Sequence, residues 1–139
     1  MMRVVLDTNV VVSALLRSGG LPEAVLTVAL DRIAQLCISE PVLKEYQEVL
    51  SRPKLGIARK RVETALKRIR EVSLWVAPST PVAACIDPDD DIFVECAVAA
   101  EADYLVTGNS AHFPEVWGNT QIVTPREFIG IVISDQRGV

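Results

Sequence analysis

Short apolar runs alternate with longer amphipathic ones along this chain, and the alternation predicts strands and helices in turn. Residues 4–6 form a wholly apolar strand, followed by a helix over 9–16 that Ser18-Gly19-Gly20 ends. Pro22 opens a second helix, with Ala24, Val25, Val28, Ala29 and, at its far end, Ile33 on the apolar face. Residues 36–38 are the second strand. Ser39 and Pro41 then signal a helix start, and that helix runs to about Ser51 before Pro53 stops it. Residues 59–71 make a basic amphipathic helix with Val62, Leu66 and Ile69 turned inward, and 72–76 a third strand. A loop broken by Pro78, Pro81 and Pro88 leads to a helix over 90–101, then to strands at 104–107 and 121–123. Thr124 caps a last helix that begins at Pro125.

Strands apolar on both faces, separated by helices, imply a parallel sheet covered on both sides. The expected fold is therefore α/β, a three-layer α/β/α sandwich around a central parallel five-stranded sheet. At 139 residues it is expected to be one domain spanning 1–139. Composition agrees: half the residues are hydrophobic but only 5% aromatic, so aliphatic side chains must build the core. The apolar stretch behind Arg3 is interrupted by Asp7, Thr8 and Asn9, which argues against a signal peptide. No uncharged apolar run reaches membrane-spanning length. Cys37, Cys85 and Cys96 are odd in number and widely spaced, and they read as reduced core thiols of a cytoplasmic protein.

The net charge of −4 argues against general polyanion binding, but the charge is unevenly placed. Between Arg52 and Arg70 lie eight basic residues (Arg52, Lys54, Arg59, Lys60, Arg61, Lys67, Arg68, Arg70) and one acid, Glu63. That segment carries +7 and leaves −11 for the remainder. A solvated helix face normally intersperses acids with bases. Their near absence here points also to contact with a phosphate backbone.

Acidic side chains fall where parallel strands should end, the edge at which open α/β sheets bind ligands. Asp7 closes the first strand. On the helix after Pro41, the inward stripe is Val42, Leu43, Tyr46, Val49 and Leu50. Glu45 lies on its margin and is the candidate ligand; Glu48 points away, and Glu40 serves the helix dipole. Of the run Asp87-Pro88-Asp89-Asp90-Asp91, Asp90 shares a ridge with Phe93, Val94 and Ala97 and is favoured as inward-pointing, with Asp91 second. First-turn acids also favour a helix by about 0.3–1 kcal/mol each. The helix they open is apolar nearly all round and is expected to be buried, so Glu95 needs a partner, at the site or in an arginine. Asn109, after Thr107-Gly108, offers an amide oxygen, though Asn after Gly also suits a tight turn. His112 reads as structural, and no arrangement supports a nucleophilic triad. Dispersed acids gathered at one sheet edge would repel one another, which implies a divalent cation.

These residues, in this order, resemble the PIN-domain family of metal-dependent ribonucleases, and within it the toxins of bacterial and archaeal toxin–antitoxin pairs. The likeness spans nearly the whole chain. It runs through Leu6-Asp7-Thr8-Asn9, the segment from Glu45 to Lys54, Asp87-Pro88-Asp89-Asp90, the segment from Ala102 to Asn109, and Ile122-Val123-Thr124-Pro125. The resemblance implies Asp7, Glu45 and Asp90 as the catalytic, metal-binding acids. The family's usual fourth acid falls on Asn109, which lowers the charge of the site and the case for a second ion; Asp91 or Glu95 could compensate. Asn9 and Thr107 would orient Asp7. The implied activity is endonucleolytic hydrolysis of RNA phosphodiester bonds with one or two Mg²⁺ or Mn²⁺ ions. Arg52, Lys54, Arg59, Lys60 and Arg61 would steer the RNA backbone without reading sequence. A small antitoxin and a homodimer are the implied partners, with no membrane.

Two other functions compete. A haloacid-dehalogenase-type phosphatase would need a second Asp two positions after Asp7, where this chain has Asn9. An RNA-binding or protein-interaction module on a PIN-like fold, with little or no cleavage activity, is the alternative that Asn109 suggests.

Overall fold

The computed structural model describes residues 1–137, so the last two residues of the expected 1–139 domain lie outside it. Among the described residues, six α-helices surround a six-stranded, mostly parallel sheet. The strands are β1 (Arg3–Leu6), β2 (Gln35–Ile38), β3 (Leu74–Trp75), β4 (Tyr104–Val106), β5 (Val116–Trp117) and β6 (Thr120–Val123). The helices are α1 (Thr8–Leu16), α2 (Leu21–Leu30), α3 (Glu40–Leu50), α4 (Arg59–Val72), α5 (Asp91–Ala100) and α6 (Pro125–Arg137). Helix starts follow the expected chemistry. Ser39 Oγ accepts from the Val42 N–H at 3.4 Å. Thr124 and Glu127 exchange bonds at the head of α6, each side chain accepting from the other's backbone N–H.

The strand order is β3-β2-β1-β4-β6-β5. Direction along the sheet reverses at β1: the chain first moves to β2 and β3, then returns to β4 on the other side. That reversal opens the crevice in which open α/β sheets bind ligands. Val4, Val5 and Leu6 pair with Tyr104, Leu105 and Val106, so Asp7 and Thr107 leave the sheet side by side. The Asp7 N–H donates to the Val106 carbonyl at 2.9 Å. Val4, Val5, Leu6, Leu105 and Val106 are fully buried, as strands covered on both faces must be.

The sheet differs from the expected five strands in one respect. Val116–Trp117 adds a sixth strand, antiparallel to β6 through a Gly118-Asn119 turn in which Gly118 has φ +60°. Both β5 residues are exposed, so the hairpin carries no buried alternation for a sequence pattern to show. Three smaller departures share one cause, the tertiary context. Helix α4 runs through Val72 and shortens the third strand to two residues. Ile33 lies past the end of α2 and is exposed. Helix α5, expected to be buried all round, exposes Val98 and Ala99. No single helix among the described residues is long and apolar enough to cross a membrane. Cys37 and Cys96 are buried free thiols, while Cys85 is only partly covered.

Candidate active site

Asp7 is buried at the sheet edge, and its carboxylate receives a hydrogen bond from the Thr107 hydroxyl at 2.7 Å. The Thr107 oxygen in turn accepts from the Asn109 N–H at 3.0 Å. Burial raises the pKa of Asp7, and the neighbouring charge of Glu45 adds to the rise. The Thr107 hydroxyl and the Thr8 backbone N–H work the other way by stabilising the anion. Thr107 is thus in direct hydrogen-bond contact with the Asp7 carboxylate. Asn9 acts one step further off: its side-chain oxygen accepts from the Gly108 N–H at 3.1 Å and ties the loop after β4 to α1.

Helix α3 brings Glu45 to the same edge. The Tyr46 side chain is completely buried and its hydroxyl donates to the Leu6 carbonyl, which locks α3 to the last residue of β1. One residue earlier, half-buried Glu45 accepts from the Thr8 hydroxyl at 2.6 Å. Glu48 faces solvent and pairs with Arg52, and Glu40 is exposed at the helix start.

Asp90 arrives from the opposite direction, on a single 3-10 turn, Pro88–Asp90, that runs into α5. Its pKa is pushed up to about 6, first by burial, then by the charges of Asp7, Asp87 and Glu45, while His112 pulls it down. The acids at the β1 end and in the middle of α3 thus both act on the ionisation of Asp90 at the head of α5. The neighbouring residues turn elsewhere. Asp91 accepts from the Ala84 and Cys85 N–H groups at 3.0 and 2.9 Å. Burial works to raise its pKa, yet these bonds and the Cys85 thiol lower it overall. Glu95 finds its partner in the Val82 N–H at 2.9 Å rather than in an arginine. Asn109 is exposed beside Thr107.

Asp87 and His112 are the neighbours of Asp90 that the pattern of strand ends did not single out. His112, read from sequence as structural, reaches Asp90 because its carbonyl accepts from the Ile86 N–H at 3.2 Å, which joins two loops far apart in sequence. No local sequence signal announces such a bond.

Hard oxygen donors under mutual repulsion are the chemistry a divalent cation requires. Asp90 also accepts no hydrogen bond from the described residues, which leaves its oxygens available. The acids do not close into a cage: no group of three or more His, Cys, Asp or Glu side chains among the described residues stands in a metal-holding arrangement. A Mg²⁺ ion keeps several waters and takes one or two carboxylates together with substrate phosphates, so it requires no closed cage. Asp7, Glu45 and Asp90 offer the kind of oxygen donors such an ion takes.

The basic segment begins seven residues beyond Glu45, about 10 Å along the helix direction. Arg52 is bound to Glu48 and Arg59 to Glu63, both at the exposed surface. Lys54, Lys60 and Arg61 are exposed and have no ion-pair partner among the described residues. Exposed pairs of this kind contribute about 0.2–1 kcal/mol, so Arg52 and Arg59 are easily recruited by a phosphate.

A family model for the PIN domain matches residues 3–111. An uncharacterized protein of Methanocaldococcus jannaschii is 32% identical over 110 residues, which are 77% of this chain and 70% of that protein. Among solved structures, VapBC2 from Rickettsia felis, bound to a DNA fragment from its promoter, aligns with a TM-score of 0.59 and 20% identity. The alignment covers 88% of this chain and 98% of the other, and it shows a shared fold.

Proposed function

From its place in the PIN-domain family, to which this chain belongs, we propose that it is a metal-dependent endoribonuclease that hydrolyses RNA phosphodiester bonds as a single PIN-like domain. One observation carries this reading: burial first, and then the charges of Asp7, Asp87 and Glu45 from separate elements, push the pKa of Asp90 up to about 6. A bound divalent cation would relieve that repulsion. Asp7, Glu45 and Asp90 would hold Mg²⁺ or Mn²⁺, with Asn109 as a neutral fourth contributor. A bound divalent ion supplies activation of the attacking water and neutralisation of charge on the phosphate.

The chain's own residues do the rest. Thr107 fixes the Asp7 carboxylate, and Thr8 fixes that of Glu45, so neither must reorganise when substrate arrives. Arg52, Lys54, Arg59, Lys60 and Arg61 draw the RNA backbone along α4 toward the acidic edge. The resemblance to PIN-domain toxins and the fold shared with VapBC2 support a toxin role, with a small antitoxin as partner. A cleft of about 510 Å³ between α3 and α4, lined by Leu50, Ile57, Val62 and Leu66 and also by Arg52 and Arg59, offers such a partner a surface. A second copy of the chain is the other proposed partner.

The test incubates structured and unstructured RNAs with wild type and Asp7→Asn, with Mn²⁺ or with EDTA. Cleavage by the wild type in Mn²⁺ alone supports the enzyme. Equal cutting by Asp7→Asn would place the activity elsewhere. The exposed amide of Asn109 at the usual position of an acid favours a second reading, an RNA-binding module with little or no cleavage. RNA bound equally in EDTA and Mn²⁺, and left intact, would establish that one instead.

A further inference from the structure

Two carboxylates on α5 do not join Asp7. Asp91 and Glu95 stand one helical turn apart and both face the segment between β3 and the Pro88–Asp90 turn. That segment contains Pro78 and Pro81 and forms no helix or strand, so backbone ladders do not set its path. Side chains do. Glu95 Oε2 accepts from the Val82 N–H, and Asp91 Oδ1 accepts from both the Ala84 and Cys85 N–H groups. One residue on, the Ile86 N–H donates to the His112 carbonyl.

Four successive points of attachment thus fasten residues 82–86 immediately before Asp87 and Asp90. The last of them reaches the 3-10 turn Ser110–His112, which follows Asn109. The strap therefore links the third acid of the site to the polar residue after β4. An Asp91 oxygen that already accepts two amide protons has little capacity left for a cation.

We infer that Asp91 and Glu95 are positioning residues rather than ion holders: they fasten the 82–86 strap and thereby set Asp90 opposite Asp7 and Glu45. The inference rests on the proposed metal-dependent function, which it deepens. It separates two neighbouring acids by role. Asp90 works through its charge, Asp91 through an acceptor oxygen that a neutral amide can replace.

The test compares Asp91→Ala, Asp91→Asn and Asp90→Asn in the full chain. Three quantities are read: the rate of Cys85 alkylation by iodoacetamide, Mn²⁺ affinity by calorimetry, and RNA cleavage. Cys37 and Cys96 are buried and serve as silent controls. Asp91→Ala is expected to speed Cys85 alkylation about tenfold or more by releasing the strap, and to weaken Mn²⁺ binding and cleavage with it. Asp91→Asn keeps the acceptor and is expected to restore all three to within about threefold of wild type. Asp90→Asn should lose Mn²⁺ binding with Cys85 unaffected. If Asp91→Asn abolishes Mn²⁺ binding as fully as Asp90→Asn does, or if Asp91→Ala leaves Cys85 as slow as wild type, the assignment is overturned. A wild type that neither binds Mn²⁺ nor cleaves RNA would refute the proposed function instead, while the alkylation rates would still decide whether Asp91 holds the strap.

Discussion

Asp7 and Thr107 meet because their strands pair in register, and the short bond between them decides how usable the buried carboxylate is. Replacing Thr107 with Val keeps the shape and deletes the donor. Asp7 should then become harder to ionise, and Mn²⁺ affinity measured by calorimetry should fall about 10–100-fold with the fold intact. Asp90 yields a prediction about pH. Its pKa of about 6 in the folded protein exceeds the ordinary 3.8, so between those values the folded state binds its proton more tightly than the unfolded chain. Stability therefore falls as pH rises through that window. Asp90→Asn lacks this liability. Without divalent ions it should melt a few degrees above wild type at pH 7, and the advantage should vanish toward pH 4. Excess Mn²⁺ should reverse the order at pH 7, because only the wild type would gain from binding. A lower Tm for Asp90→Asn in metal-free buffer at pH 7 would contradict the repulsion assigned to it. At this scale the sequence was informative where a residue ends an apolar strand or sits on a helical stripe, as Asp7, Glu45 and Asp90 do. It ranked Asp91 second, asked a partner for Glu95 and took His112 as structural, but the contacts that place all three run to loops that no local pattern encodes.

At the scale of elements, α3 is the pivot of the site. Tyr46 anchors it to β1, and the adjacent Glu45 is carried with it. Tyr46→Phe would leave the buried Leu6 carbonyl without that donor. It should cost about 1–3 kcal/mol in urea denaturation, and should weaken metal binding less than removal of Glu45 itself. Helix α4 is separable from this machinery. Charge reversal at Lys60 and Arg61 should raise KM for RNA several-fold and flatten its salt dependence, with Mn²⁺ affinity unchanged. An unchanged salt dependence would reduce α4 to a solvated surface. The major helices and four of the parallel strands were legible from periodicity, capping residues and prolines. The β5 hairpin and the contraction of β3 were not, because each strand is two residues long and lies at an edge of the sheet.

Across the whole molecule, a +7 segment from Arg52 to Arg70 sits within a remainder carrying −11. The fold places the start of that segment just beyond α3, whose middle supplies Glu45. The proposed polyanion and the proposed cation make opposite demands on charge, and a basic segment set apart from the acidic edge would meet both. The acidic edge is the part on which everything else depends. Calorimetric titration of Mn²⁺ into wild type, Asp7→Asn and Asp90→Asn at pH 7 examines it directly. The account predicts saturable binding by the wild type that each substitution weakens at least about tenfold. Equal binding by all three proteins, or none by the wild type, would contradict it.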